Sequence, residues 1–414
     1  MRSRESKMEI PAREKRELEE RIQNSILASR PSASQYYRPE LDVVRFLAFL
    51  LVFAEHTLPN HADSRVSAVM KGFAPVLYAA SSACKFGLSL FFTLSAFLIC
   101  ELLLRERQAA GTVGVKQFYI RRILRIWPLY YLGLALGEVA AFLPGGEPAS
   151  ALKMGWFAIF MGAWCLMTRS AFNNPAGVLW SISIEEQFYL FAPWIVKYFN
   201  RKSLYAFCLT IILVANVWLF YLGKLRTSYK PIWFNSFVQF ECFAGGILLC
   251  LLLRSRLPRI AVWLRLLLVA CGLFGWFVAC YWLHNDFSYP GDNPGSWPLI
   301  GGYALGALGA VLLLVAFLGV NPRLLPGWAV YLGRISYGLY VYHLFALYIA
   351  NHLLIGHLAS IASPLFFLKA VVTLGLNILM AATSYHFFEL PFLKMKKRHT
   401  VIESEPIGAH VDPS

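Results

Sequence analysis

The sequence predicts an all-α polytopic membrane protein, a bundle of about ten transmembrane helices with both termini cytoplasmic. Three observations carry that expectation. The 414-residue chain is 58% apolar and 15% aromatic but only 15% charged, too apolar for a soluble protein of average composition. Its apolar residues collect in runs close to the ~20 residues that a helix needs to cross a bilayer. Its basic residues, which give a formal charge of +15, fall mainly in short segments between alternate runs. This is the positive-inside pattern, so no nucleic-acid partner is needed to explain the charge.

Residues 1–37 read as a charged cytoplasmic tail, with a solvated helix over Ala12 to Leu27. No apolar stretch follows the early basic residues, so no cleavable signal peptide is expected. Residues 38–393 are expected to form the transmembrane domain and 394–414 a second cytoplasmic tail. The expected spans are Leu41 to Leu58, Cys84 to Leu104, Ile126 to Leu143, Trp180 to Tyr198, Leu204 to Leu222, Trp233 to Leu253, Ile260 to Leu283, Pro298 to Leu318, Ala329 to Ala350 and Pro364 to Phe388. Ala151 to Met167 is apolar enough to cross. Crossing would put the basic stretch Lys197 to Lys202 outside, so an interfacial or re-entrant piece is expected there. The basic segments Lys116 to Arg125, Arg254 to Arg259 and Lys394 to Arg398 then face the cytoplasm. Lys224, Arg226 and Lys230 fall on the outer side against the rule. The eight cysteines lie in or beside apolar segments without a C-x-x-C pair, so neither a disulfide framework nor a metal site is expected.

Four groups of polar residues interrupt the spans. In the first span, Arg45 and His56 lie eleven positions apart. At ~100° per residue both project from nearly one face, separated by ~16 Å along the axis, and Asp42 joins the same stripe. Ionisable groups so placed are costly unless they face protein or a water-filled cavity. Neutral imidazole can take a hydroxyl proton near neutral pH, whereas the Arg must pair or hold an anion. The second group is Arg121, Arg122 and Arg125, whose guanidinium forks suit phosphate oxygens. Their alternative role is to set topology. No Walker-type phosphate loop occurs, which argues against an NTP-driven machine. In the third group Ser181 and Glu185 share a helix face, with Glu186 and Tyr189 beside them. The fourth holds Ser336, Tyr340 and His343, then Ser384, Tyr385 and Glu389; hydrogen bonding between helices is its simplest role.

In this order the segments resemble the family 3 membrane acyltransferases, bacterial O-acyltransferases that modify cell-surface saccharides. The matching pieces are RPELDVVRFLAFLLVFAEH with its Arg-x10-His, FGLSLFFTLSAFLI, RRILRIWPLYY, LWSISIEEQFYL, ISYGLYVYH and SYHFFELPFLKMKK. Ala96 stands where that family commonly has Gly. The resemblance implies an acyl-CoA co-substrate, most simply acetyl-CoA, taken from the cytoplasm with no permanently bound cofactor. It also implies a hydroxyl of a surface or lipid-linked saccharide as acceptor and a location in the cell inner membrane. By the same resemblance His56 is the catalytic base and Arg122 and Arg125 hold CoA phosphates, with Arg121 beside them. Glu185 carries over from the W-S-x-x-x-E match. Arg45 and Asp42 are expected to orient the stripe, and Ser181, Tyr189, Ser336, Tyr340 and His343 to support the acceptor. The rival reading is a transporter or flippase of an anionic glycan or lipid, for which ten spans and buried charges are equally ordinary.

Overall fold

The computed structural model describes residues 36–58, 71–143, 150–168, 174–285, 293–354, 365–400 and 402. The expected helix over Ala12 to Leu27 and most of both expected tails lie outside them. Residues Arg38–Thr400 form one compact unit, and among the described residues every regular element is helical.

Helix α1 (Pro39–Thr57) starts where a proline fits the first turn and Glu40 and Asp42 meet the positive end of the helix dipole. It is followed by α2 (Ala74–Ala83), α3 (Gly87–Ala110) and α4 (Val115–Ala141). The ambiguous apolar segment forms two short helices, α5 (Ala151–Ala158) and α6 (Gly162–Thr168), separated by Phe160 at φ 59°. At ~1.5 Å per residue neither reaches halfway across ~30 Å of hydrocarbon, the form that a re-entrant piece takes. Then come α7 (Trp180–Tyr198), α8 (Arg201–Lys224), the single turn α9 (Lys230–Trp233), α10 (Ser236–Leu253), α11 (Val262–Tyr281) and α12 (Ser296–Phe317). The chain ends in α13 (Gly327–Arg334), α14 (Ser336–Ile349), α15 (Leu365–Ser384) and α16 (Leu390–Lys397).

Seven helices among the described residues are long and apolar enough to cross a membrane: Ala74–Ala110, Val115–Ala141, Arg201–Lys224, Lys230–Leu253, Val262–Tyr281, Ser296–Phe317 and Leu368–Lys397. Each overlaps an expected span. The other three expected spans are helical but differ in kind. Helices α1 and α7 carry several charged residues, and the expected span Ala329 to Ala350 divides at Ile335, whose ψ of 9° leaves the helical region. These three are also the segments that hold His56, Glu185 and His343.

Position follows composition. Helices α8 and α11 present Leu209, Leu213, Val217, Trp263, Leu266 and Leu267 outward, as lipid-facing surfaces do. Helix α1 instead lies inside, packed against α3, α13 and α14, with Val44, Ala48 and Phe49 fully buried. Its approach to α13 depends on Gly333, where a Cβ would collide with the backbone of Asp42. The missing side chain thus lets α13 lie directly over the charged end of α1. Gly333→Leu is expected to separate the two helices and lower stability by about 1–3 kcal/mol. Thermal unfolding in detergent would show this as a lower melting temperature than that of a substitution at Gly327, where a Cβ meets nothing.

Candidate active site

The stripe on α1 is bounded by two polar levels. At the first, Asp42 and Arg45 form an ion pair one turn apart, with Asp42 buried. Arg122 lies within electrostatic reach of Arg125, and Arg125 of Arg45, so α1 and α4 together bring three guanidinium groups into one region. The Arg122 guanidinium sits 5.5 Å from the centres of both the Phe118 and Tyr189 rings, a cation–π sandwich that holds it inward. Its Nε is buried with no hydrogen-bond partner among the described residues. Such a group is costly unless something anionic completes it. Tyr189 donates to Glu185 at 3.2 Å, one turn back on α7, and lies 2.5 Å from Ser95 Oγ of α3. Glu186 accepts from Trp127 Nε1 of α4 at 3.1 Å.

The second level lies at the far end of α1. His56 and His343 meet edge to face, with ring centroids 5.0 Å apart. His56 Nδ1 is 3.0 Å from the Val52 carbonyl and 2.5 Å from Glu55 Oε2. Both neighbours only accept when Glu55 is ionised, so Nδ1 carries a proton, and in the neutral ring Nε2 presents its lone pair. His343 Nδ1 likewise faces the Tyr340 carbonyl at 2.6 Å, which leaves its buried Nε2 as a lone pair without a partner among the described residues. Tyr340 Oη lies 2.6 Å from Ser181 Oγ, joining α14 to α7. A hydrogen bond thus links Ser181 to the Tyr340 hydroxyl, and ring packing links Tyr340 to His343 and His343 to His56.

The two levels are joined by α7. Ser181 belongs to the histidine level, and Tyr189, ~12 Å further along the helix, belongs to the arginine level. Glu185, bonded to Tyr189, sits with the arginine level. A second tie comes from Tyr337 of α14, which donates to the Ile126 carbonyl at 2.8 Å just past the arginines of α4.

The family profile described as "Acyltransferase domain" matches residues 38–382, most of the chain. The chain belongs to the family 3 acyltransferases. Among curated relatives, the Listeria monocytogenes peptidoglycan O-acetyltransferase OatA is 24% identical over 415 residues, covering 91% of this chain and 60% of its own length. The Staphylococcus aureus (strain COL) protein SACOL0978, titled provisionally as an O-acetyltransferase, is 23% identical over 337 residues, covering 74% of this chain and 52% of its own. Nodulation protein 10 of Rhizobium leguminosarum bv. viciae is 23% identical over 332 residues, covering 75% of this chain and 82% of its own. The chain thus spans about half the length of the Staphylococcus relatives. No solved structure matches it.

Within this family 3 chain, Asp42, Arg45, Arg122, Arg125, Glu185 and Tyr189 gather around one level, and Ser181, Tyr340, His343 and His56 around the other. Arg121 is also within electrostatic reach of Arg122, but it is paired with Glu106 at 2.7 Å and donates to the His399 carbonyl at 2.8 Å. Ser336 is buried at the start of α14, ~10 Å along that helix from His343. Sequence spacing left four contacts unassigned. Ser95 lies in an apolar run, and Phe118 and Trp127 read as ordinary aromatics. Glu55 sits next to His56, where helical spacing gives no reason for two side chains to meet. In a double-mutant cycle of Ser181→Ala and Tyr340→Phe, a coupling of about 0.5–1.5 kcal/mol in unfolding free energy is expected. Simple additivity would mean that the two hydroxyls do not hold α7 to α14.

Proposed function

We propose that the protein is an integral-membrane O-acyltransferase that moves an acyl group, most simply acetyl, from cytoplasmic acyl-CoA to a hydroxyl of a surface or lipid-linked saccharide. Its place would be the cell inner membrane, crossed several times. The observation that carries this reading is the paired arrangement: guanidinium groups at one end of the α1 stripe and a histidine with a free lone pair at the other. The charge distribution supports a cytoplasmic arginine end, the side where CoA is found.

In this reading the donor phosphates contact Arg122 and Arg125. Arg45, tethered by Asp42, adds positive charge where the donor enters the bundle. Arg121, occupied by Glu106, holds the end of α4 in place and has less freedom to serve as a phosphate contact. The pantetheine arm follows the α1 stripe, past Glu185 and Tyr189, so that the thioester reaches His56. His56 Nε2 takes the acceptor hydroxyl proton while that oxygen attacks the thioester carbonyl carbon. The C–O bond forms, the C–S bond breaks, and the CoA thiolate recovers the proton from the His56 imidazolium. His343, held by Tyr340 and Ser181, supplies a second hydrogen-bond acceptor for the saccharide hydroxyls. No serine or cysteine occupies a recognisable nucleophile motif in the sequence, which favours direct transfer.

The test is transfer of label from [14C]acetyl-CoA to saccharide acceptor by purified protein in proteoliposomes. His56→Ala is expected to lose ~10²–10⁴-fold in rate with its fold intact. Arg122→Gln is expected to raise KM for acetyl-CoA with a smaller effect on kcat. Wild-type transfer by correctly folded His56→Ala would end this reading.

A further inference from the structure

The carboxylate of Glu55 has no role in the reaction described above, yet it lies 2.5 Å from the Nδ1 of the proposed base. We propose that Glu55 is a positioning residue for His56: it holds the proton on Nδ1, aims the Nε2 lone pair at the acceptor hydroxyl, and is the counter-ion of the imidazolium that forms during transfer. This inference rests on the assignment of His56 as the base.

The geometry favours it on three grounds. Adjacent residues on a helix point ~100° apart, so the contact does not follow from helical spacing. It arises because the His56 ring turns back toward the Val52 carbonyl in the last turn of α1, which brings Nδ1 within reach of Glu55. Next, the other described residues offer the imidazolium little support. His343 faces it as a neutral ring, its own Nδ1 proton already given to the Tyr340 carbonyl. Lys85 of the segment leading into α3 lies within electrostatic reach of Glu55, but its ammonium is hydrogen-bonded to the Asn285 carbonyl. Cys84, beside Lys85, and Tyr340, whose hydroxyl is bonded to Ser181, are also within reach of Glu55, and neither replaces the carboxylate. Last, both side chains of the pair are about one-third exposed, 33% for His56 and 35% for Glu55. An acceptor can therefore approach Nε2 while Nδ1 stays occupied.

The proton count is simple. Glu55 stays ionised throughout. The acceptor proton moves to His56 Nε2 as the C–O bond forms, then to the departing CoA sulfur as the C–S bond breaks. The carboxylate neutralises the imidazolium between these events, as a carboxylate–histidine pair does in hydrolases.

Kinetics in proteoliposomes with [14C]acetyl-CoA test the proposal. Glu55→Gln is expected to lower kcat ~10²-fold with KM for acetyl-CoA unchanged. The loss stays short of the ~10⁴-fold known for a misdirected histidine because the Val52 carbonyl still orients the ring. The isosteric pair Glu55→Asp and Glu55→Asn isolates charge from shape and serves equally if Glu55→Gln does not fold; Asp is expected to retain at least tenfold more kcat than Asn. Equal rates for Asp and Asn, wild-type kcat in Glu55→Gln, or an effect confined to KM would each overturn the positioning role. An active His56→Ala in the same assay would overturn the parent reading instead, so the two failures are distinguishable.

Discussion

An ionisable side chain placed in hydrocarbon must face protein or water, and most of this bundle's architecture follows from that requirement. Helix α1 carries Asp42, Arg45, Glu55 and His56, too many charged groups for a lipid-facing position. It is accordingly enclosed by α3, α13 and α14, while α8 and α11, apolar over most of their length, take the lipid-facing surface. Helices α7 and α14 likewise bury polar side chains, Ser181 and Ser183 on one and Ser336 and His343 on the other. Helices that cannot face lipid are thereby driven together, and their polar residues end up sharing one interior.

That enclosure explains why the polar groups form levels instead of scattered pairs. A buried donor or acceptor needs a partner from a neighbouring helix at the same depth. Ser181 therefore finds Tyr340, Tyr189 finds Ser95, and Glu186 finds Trp127. Several buried polar atoms are left over among the described residues, Glu186 Oε1 and Glu241 Oε2 included, and two of them have the polarity that the proposed donor and acceptor need. Arg122 Nε and His343 Nε2 are buried without partners among the described residues, one at each level. One is a donor suited to an anion, and the other is an acceptor suited to a hydroxyl.

Much of this was legible in the sequence. Apolar runs located the seven helices that are long and apolar enough to span, and the charged interruptions located the three that differ from them. The eleven-residue spacing of Arg45 and His56 placed both on one face, since helical periodicity is set by the backbone. Periodicity says which face a residue occupies but not what opposes it, so the meeting of His56 with His343 could not be read. Nor could the pairing of Arg121 with Glu106, which depends on how α3 and α4 fold back on each other. The break at Ile335 left no compositional trace, because a single residue changes its dihedrals within an otherwise helical pattern. Glu55 was visible but unassigned, since its contact with His56 arises from a turned ring at a helix end.

The account rests on one spatial claim, that the α1 stripe is the route from donor phosphates to His56. The most direct measurement is a cryo-EM structure of the full chain with a non-hydrolysable thioether analogue of acetyl-CoA. The account predicts phosphates against Arg122 and Arg125, the arm lying along α1 past Glu185 and Tyr189, and the carbonyl carbon close to His56 with room for one hydroxyl between them. An analogue whose phosphates lie elsewhere, or whose carbonyl stays remote from His56 with the phosphates in place, would contradict it.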